Sequence, residues 1–189
     1  MARAKAAAGS PEARASAHAQ RPAPNPWLDL SGNGRHLHIG HFLTFQIIRL
    51  ANAAKANVTR RYLHEFKLSV PEWRLLAMTF RFAPVRFSEL VAKSHMDKGQ
   101  ASRTLQELTR RGLINTRDPA GRTRRTADPS SPVILSLTPR GHKLYRTVLP
   151  VAQRNQAELL KVLTRDERKV LYGVLHKLFA AVGDRDELA

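Results

Sequence analysis

The feature that most constrains this chain is a series of short structural signals between residues 88 and 137. Ser88 and Asp97 stand at N-cap positions before two helical stretches, since Ser and Asp side chains accept bonds from the free backbone N–H groups of a first turn. Gly112 follows the second stretch, where helices commonly end in glycine. Two short runs suited to β-strands and a basic segment between them come next. Helix, tight turn, helix and basic hairpin, in this order, predict a winged helix-turn-helix.

Apolar residues at spacings of three and four add helices on both sides of this unit. They predict a long helix over residues 36–66 and a second helix opened by the capping box of Ser69 and Glu72. Beyond the hairpin, Thr138 and Thr164 occupy the N-cap positions of two further helices. The predicted fold class is mainly α with a small β-hairpin wing, arranged as a winged helix-turn-helix lobe and a helical dimerisation region.

Helical spacing divides residues 97–111 into two faces. Ala101, Leu105 and Leu108 share one face, at intervals of four and three, and we expect them to pack against the rest of the domain. The opposite face is polar and basic. It carries Lys98, Gly99, Gln100, Ser102, Arg103, Gln106 and Arg110.

The first two turns of a recognition helix meet the edges of the bases in a major groove. An arginine pairs bidentately with guanine and a glutamine with adenine. We therefore predict base contacts from Arg103 and Gln100, with Ser102 contacting a base or a phosphate. The absence of a side chain at Gly99 would let the backbone approach the duplex. A solvated polar face is the alternative for this helix taken alone.

The hairpin, predicted at residues 113–117 and 133–137, has a long and basic tip. From Lys93 to Arg125 there are nine Lys or Arg and three acidic residues, whereas a merely solvated loop would mix the signs. Arginine at a loop tip can enter a narrow minor groove. We predict phosphate or minor-groove contacts from the basic residues flanking the base-reading turns. They are Lys93, Arg110, Arg117, Arg122, Arg124 and Arg125.

The strong positive charge of the chain indicates which classes of molecule it binds. The 32 Lys and Arg oppose 15 Asp and Glu, a formal net charge of +17, which favours nucleic acid first and an anionic membrane surface second.

No apolar run approaches the roughly 18 residues that span a bilayer, and a chain without cysteine forms no disulfide. Residues 1–34, rich in Ala, Pro, Gly, Ser and Arg, are predicted to be a disordered basic tail. We expect a cytoplasmic, nucleoid-associated protein with no membrane partner.

Three histidines, His36, His38 and His41, form the cluster that most suggests a metal. On a helix only the second and third share a face, and zinc usually needs a further ligand. We expect these side chains to line a cavity or to face solvent, and we predict no metal or other cofactor. The chain also has no phosphate-binding glycine loop, nucleophile elbow or two-histidine metal helix. We predict that the protein is not an enzyme.

Aromatic and basic residues near the first two predicted helices suggest a pocket for a small organic acid. The candidates are His38, Phe42, Phe45, Arg49, Trp73 and Arg74. The alternative is structural, with Trp73 and the phenylalanines in the core and the two arginines ion-paired or solvated.

The first and last helices carry more apolar residues than a small winged domain can cover, and a large apolar surface marks an interface. Twofold symmetry is the common outcome. We therefore predict a tail at residues 1–34, a helical dimerisation region at residues 35–66 and 139–182, and a winged helix-turn-helix at residues 67–138. Two recognition helices would then meet major grooves about one helical turn apart.

Several of these segments together resemble the MarR family of bacterial regulators. The likeness runs from about residue 36 to 180, and its strongest parts are LSVPEWRLL (68–76), ELVA (89–92), DK (97–98) with SR (102–103), RGLI (111–114) and LTPRG (137–141). The resemblance implies a triangular homodimer and repression, or occasionally activation, at a pseudo-palindromic operator. It also implies release from DNA by a small anionic or phenolic effector, such as an aromatic acid or its thioester.

The chain departs from the family pattern in the wing and in the recognition helix. The family usually has an acid two residues before its minor-groove arginine, and Gly121-Arg122-Thr123-Arg124-Arg125 lacks it. The wing is also longer than usual. Thr104 stands where the family usually has a larger apolar residue.

Our main hypothesis is a homodimeric, sequence-specific DNA-binding repressor that a small aromatic or anionic effector releases from its operator. The alternative is an architectural protein that coats DNA without sequence preference, served by the basic tail and the long wing. A third possibility is a protein-interaction module with no role in DNA binding.

Overall fold

A computed structural model of the protein describes residues 25–118, 122 and 132–183. Residues 1–24 of the predicted tail and most of the wing tip, including Arg124 and Arg125, lie outside the described residues. The chain divides into two compact units, Met1–Leu50 and Ala51–Ala189.

The described part of the first unit starts with turns and ends in helix. The Trp27 indole Nε1 donates to the carbonyl oxygen of His41 at 2.6 Å, next to a short 3₁₀-helix, Ile39–His41. Helix α1 spans Leu43–Ala54. The helix predicted from residue 36 therefore begins later, because His38 is extended and its Nδ1 accepts the Gly40 N–H as a cap.

Helices make up most of the second unit. After α1 come a π-helical segment, Lys55–Thr59, and α2, Arg60–Glu65. The others are α3 (Val70–Phe82), α4 (Phe87–Ser94), α5 (Lys98–Arg110), α6 (Pro139–Lys161) and α7 (Arg165–Ala181).

A small antiparallel sheet has the order β1-β3-β2. Its strands are β1 (Val85–Arg86), β2 (Ile114–Arg117) and β3 (Ile134–Leu137). Strands β2 and β3 form the predicted hairpin, in which Thr116 pairs with Leu135. The first strand was not predicted, and its Val85 pairs with Leu135 from the other side. The mainly α fold class with a small β wing is confirmed.

The local signals of the sequence fix most helix boundaries. Ser69 and Glu72 form the predicted capping box of α3. Thr164 is the N-cap of α7, as predicted, and it forms a second capping box with Glu167. The prediction for Ser88 is wrong: α4 starts one residue earlier, at Phe87, and its N-cap Arg86 makes no side-chain capping bond. Helix α4 starts earlier because strand β1 ends at Arg86 and the next residue, Phe87, is already helical.

The core of the second unit lies between α3, α4, α5 and the sheet. Its fully buried side chains include Leu75, Leu76, Leu90, Leu105, Leu108, Leu113 and Leu135. A second cluster joins α2 to α6 through Tyr62, Leu63, Leu68, Val148 and Ala152. Burial of this apolar surface is the main term that holds the helix-turn-helix elements in place.

Helix α7 keeps a row of large apolar side chains in solvent. They are Val170, Leu171, Val174, Leu175 and Phe179. In the first unit, described separately, Phe42, Phe45 and Ile47 are also exposed. Within the described part of the chain, no helix is long and apolar enough to cross a membrane.

Candidate nucleic-acid interface

A tight turn places the start of α5 on the surface. His95 adopts a left-handed backbone (φ 49°) at the end of α4, a conformation that is uncommon for non-glycine residues but more frequent for histidine than for most of them. Two residues later the Asp97 carboxylate accepts the Gln100 N–H at 2.8 Å and caps α5. The turn and the cap together fix the direction in which the first two turns of α5 project.

The inner face of α5 anchors the helix. Ala101, Leu105 and Leu108 are 0% exposed, as their spacing predicted. Thr104 is buried beside them, and its hydroxyl donates to the Gln100 carbonyl at 2.8 Å. This bond lets a polar residue occupy the site of a larger apolar one without leaving its hydroxyl unsatisfied.

The outer face of α5 is open to solvent. Lys98, Gly99, Gln100 and Arg103 are exposed, and Ser102 is half-buried. A Cβ at Gly99 would lie 3.2 Å from the Asp97 carboxylate and 3.5 Å from the Arg103 guanidinium. The glycine therefore leaves room for the capping acid and for Arg103 on one surface.

The C-terminal end of α5 closes in a Schellman motif. Gly112 has a φ of +66°, and the Leu113 N–H donates to the Leu108 carbonyl while the Gly112 N–H donates to the Thr109 carbonyl. The predicted role of Gly112 is confirmed. The chain then turns directly into β2 and the wing.

Two of the cations predicted to contact phosphate have other partners. The Arg110 guanidinium forms a two-pronged ion pair with the Glu107 carboxylate, at 2.8 and 2.6 Å. Arg110 lowers the pKa of Glu107, and Glu107 raises the pKa of Arg110. Lys93 is half-buried, with its ammonium 5.2 Å from the centroid of the Phe82 ring.

The wing holds an acid-arginine pair that the family pattern did not predict. Asp118 Oδ1 accepts the Arg122 N–H and Asp118 Oδ2 accepts from Arg122 Nε, both at 2.9 Å. The Asp118 N–H donates back to the Arg122 carbonyl at 3.0 Å. An acid four residues before Arg122 thus orients this arginine, in place of the acid missing two residues before it. Arg117, at the end of β2, is exposed.

The six residues of the predicted effector pocket lie in both units. In the first, His38 caps the 3₁₀-helix, and the Arg49 guanidinium lies 5.8 Å from the centroid of the exposed Phe45 ring; Phe42 is exposed as well. In the second, Trp73 stacks on Tyr145 with ring centroids 5.5 Å apart and packs against the core. Arg74 is exposed and lines a cleft.

This cleft, of about 410 Å³, lies in the second unit. We call it the basic cleft, and its lining residues are Lys55, Arg60, His64, Leu68, Ser69, Val70, Pro71, Arg74, Met96 and Gln100. Sequence reasoning missed Lys55, Arg60 and His64. The only signal was a set of basic residues in the second half of the first predicted helix. An α-helical period places Arg60 and His64 on one face, but it does not place Lys55 there.

The side chains of His36 and His38 form hydrogen bonds with neighbouring parts of the chain. The His36 ring bonds to the Ser31 hydroxyl at 3.0 Å and to the Pro26 carbonyl at 3.2 Å. Among the described residues, no group of three His, Cys, Asp or Glu side chains is placed to hold a metal ion.

Comparisons with known proteins agree with this geometry. Residues 66–125 match the model of the MarR family. An uncharacterised helix-turn-helix transcriptional regulator of Bacillus cereus is 26% identical over 142 residues, which cover 74% of this chain and 88% of that protein.

Solved structures are similar over most of the chain. The crystal structure of MarR is 26% identical and covers 74% of this chain and 96% of its own, with a TM-score of 0.59. Bordetella bronchiseptica BpsR, whose DNA binding is regulated by 6-hydroxynicotinic acid, covers 72% of this chain and 98% of its own at 20% identity, with a TM-score of 0.61. With its capped helix α5 and three-stranded wing, this chain has the winged helix-turn-helix fold of the solved MarR-family structures, and its residues 66–125 match the family model.

Proposed function

We propose that this protein is a homodimeric repressor that binds a pseudo-palindromic operator and leaves it when a small aromatic or anionic effector binds. The observation that carries the proposal is the division of α5 into a fully buried inner face and an exposed N-terminal half. Burial of Ala101, Leu105 and Leu108 holds the helix rigidly, so that Gln100 and Arg103 project from a fixed frame. A rigid frame is what base recognition requires.

Base and phosphate contacts have different roles in this proposal. Gln100, Ser102 and Arg103 read base edges in the major groove, and each good bidentate pair discriminates by about 1–3 kcal/mol. Lys98, Arg117 and Arg122 contact phosphates or the minor groove, together with the remaining wing arginines. These contacts supply most of the affinity and its salt dependence.

The exposed apolar surface of α7 supports the homodimer. Leu171, Leu175 and Phe179 recur at intervals of four along α7 and are exposed, and an apolar surface of this kind is stabilised by burial against a second copy. A twofold dimer places two recognition helices on successive major grooves, which requires a pseudo-palindromic site.

The effector is supported by the basic cleft and by a relative. BpsR responds to 6-hydroxynicotinic acid, and the basic cleft has the volume and the mixed lining typical of small-molecule sites.

An architectural role without sequence preference is the alternative, and the net charge of +17 favours it.

Selection from a pool of random duplexes tests the proposal. The full chain is expected to enrich a site with two inverted half-sites about one helical turn apart. That site should then compete roughly a thousandfold better than random duplex at physiological salt. Failure to enrich any sequence, with tight salt-dependent binding to every duplex, would support the architectural role instead.

A further inference from the structure

We propose that the basic cleft binds a small organic dianion with an apolar ring, and that the bound ligand takes the side-chain amide of Gln100 away from the DNA. This inference rests on the proposed function, because it concerns how base reading is controlled. It assigns the effector a site within one protomer, beside the recognition helix, and a direct effect on a base-reading residue.

The charge of the cleft is the first argument. Lys55, Arg60 and Arg74 carry permanent positive charge, His64 lies with them, and no acidic residue lines the cleft. Among the residues that the structure describes, none of these four side chains forms an ion pair. Cations gathered without an acid repel one another, and an anion bound between them removes that repulsion.

The number of cations indicates the charge of the ligand. Elsewhere in this protein one carboxylate neutralises the charge of one guanidinium, as in the ion pair of Glu107 with Arg110. Three permanent cations around one cleft exceed what a single carboxylate needs. A dianion, such as a ring with two carboxylates, matches them more closely.

The apolar part of the lining indicates a ring. Leu68 and Met96 are buried, at 6% and 7% exposure, and Val70 and Pro71 continue this apolar surface. At about 410 Å³ the cleft falls in the size range of small-molecule sites. A concave, half-apolar cleft of this size suits a compact organic anion better than the convex backbone of a duplex.

The π-helical segment brings two of the cations together. The Arg60 N–H donates to the Lys55 carbonyl, so these residues lie one widened turn apart and both line the cleft. Residues five apart in an α-helix point in clearly different directions, because one turn takes 3.6 residues. Single π turns are frequent at functional sites. Here the π turn lets both Lys55 and Arg60 line the same cleft.

Gln100 connects the cleft to the DNA-reading surface. It lines the cleft from the first turn of α5, and its side-chain amide makes no hydrogen bond to another described residue. An amide held by a carboxylate in the cleft is not available to adenine. Ligand and operator therefore compete for one side chain, and binding of either weakens the other by the same factor.

The ligand site is tested first, without DNA. Titration calorimetry of the full chain with phthalate is expected to show saturable binding, and benzoate, which has one carboxylate, should bind at least tenfold more weakly. Arg60→Ala and Arg74→Ala should each weaken phthalate binding tenfold or more. Arg61→Ala, an exposed neighbour that does not line the cleft, should leave it unchanged. Absence of phthalate binding, or equal losses in Arg61→Ala and Arg60→Ala, would overturn the site.

The role of Gln100 is tested by the coupling between phthalate and the selected operator. Saturating phthalate is expected to weaken operator binding of the wild-type protein roughly tenfold. In Gln100→Ala, compared with its own affinity without ligand, the factor should fall to near one. Gln106→Ala on the same helix, outside the cleft, should keep the full factor.

A tenfold effect that persists in Gln100→Ala would overturn the direct route through this side chain. If no operator is enriched by selection, the proposed function and the coupling fail together, whereas the calorimetric result still decides the ligand site by itself.

Discussion

Glu72 and Arg111, which are 39 residues apart in the sequence, form an ion pair of 2.6 Å between Oε1 and Nη1. The other oxygen of the same carboxylate accepts the Ser69 N–H at 2.7 Å. Arg111 is the C-cap residue of α5. The Glu72 carboxylate therefore caps the start of α3 and forms an ion pair with the residue that ends α5. The two side chains are only 12% and 23% exposed, so salt screens this pair less than an exposed one.

Glu72→Gln is expected to destabilise the protein by about 1–3 kcal/mol, because the half-buried Arg111 loses its counter-charge. The free energy of unfolding in urea measures the change. Glu65→Gln is the matched control, since Glu65 is exposed and has no partner among the described residues; it should change stability by less than about 0.5 kcal/mol. Equal effects of the two substitutions would show that the ion pair contributes nothing.

Gly141→Ala is expected to cost roughly 3 kcal/mol, the upper part of the usual range for overpacking. A Cβ at Gly141 would lie 2.1 Å from the carbonyl oxygen of Leu113, and a backbone oxygen within the fold cannot move away. The close approach joins the start of α6 to the end of α5, where the Thr138 hydroxyl also donates to the Gly112 carbonyl at 2.7 Å. Thermal or urea unfolding measures the loss.

Gly173→Ala is the control for that substitution and should have the opposite sign. Gly173 lies within α7, and a Cβ there meets nothing within 4 Å. Alanine should stabilise the protein by about 0.5–1 kcal/mol, because it reduces the conformational entropy of the unfolded chain. Unchanged or increased stability in Gly141→Ala would contradict the packing described for Gly141, and a loss in Gly173→Ala would contradict the open surroundings of Gly173.

Glu107→Gln is expected to increase the affinity for random duplex. The substitution removes the charge that neutralises Arg110, and the released guanidinium can contact a phosphate. The slope of log affinity against log salt should become steeper by roughly one per added phosphate contact. Arg110→Ala serves as the comparison and should not gain affinity. An unchanged slope in Glu107→Gln would show that Arg110 does not reach the DNA.

The capping box of α7 predicts a dependence of stability on pH. Hydrogen bonds from the backbone and hydroxyl of Thr164 lower the pKa of Glu167. A carboxyl whose pKa is lower in the folded state stabilises the fold above its unfolded pKa, and this contribution disappears as pH falls through the folded value. The wild type should therefore melt at a higher temperature than Glu167→Gln at pH 6. The difference should vanish in acid, and a difference that grew on acidification would contradict this assignment.

Local signals in the sequence predict much of this fold. Each of the caps Ser69, Asp97 and Thr164 accepts a hydrogen bond from the N–H group three residues later, so the sequence around each residue contains the whole interaction. The buried face of α5 follows from helical spacing in the same way.

Features that depend on long-range contacts or on irregular backbone were not predicted. Strand β1 has two residues, too few to show alternation. The pair of Glu72 with Arg111 joins segments that no local pattern connects. The basic cleft depends on the π turn at Lys55–Thr59, which changes the helical period by which side chains are assigned to faces. Ser88 was misassigned because the end of β1 sets the start of α4.

The central claim, that the exposed N-terminal half of α5 reads bases, is tested most directly by the specificity of Arg103→Ala. Affinities for the selected operator and for random duplex are measured at the same salt concentration. Arg103→Ala should lose about 1–3 kcal/mol on the operator and far less on random duplex, whereas Arg117→Ala should weaken both about equally. Equal losses of Arg103→Ala on the two duplexes would contradict the claim that this helix reads sequence.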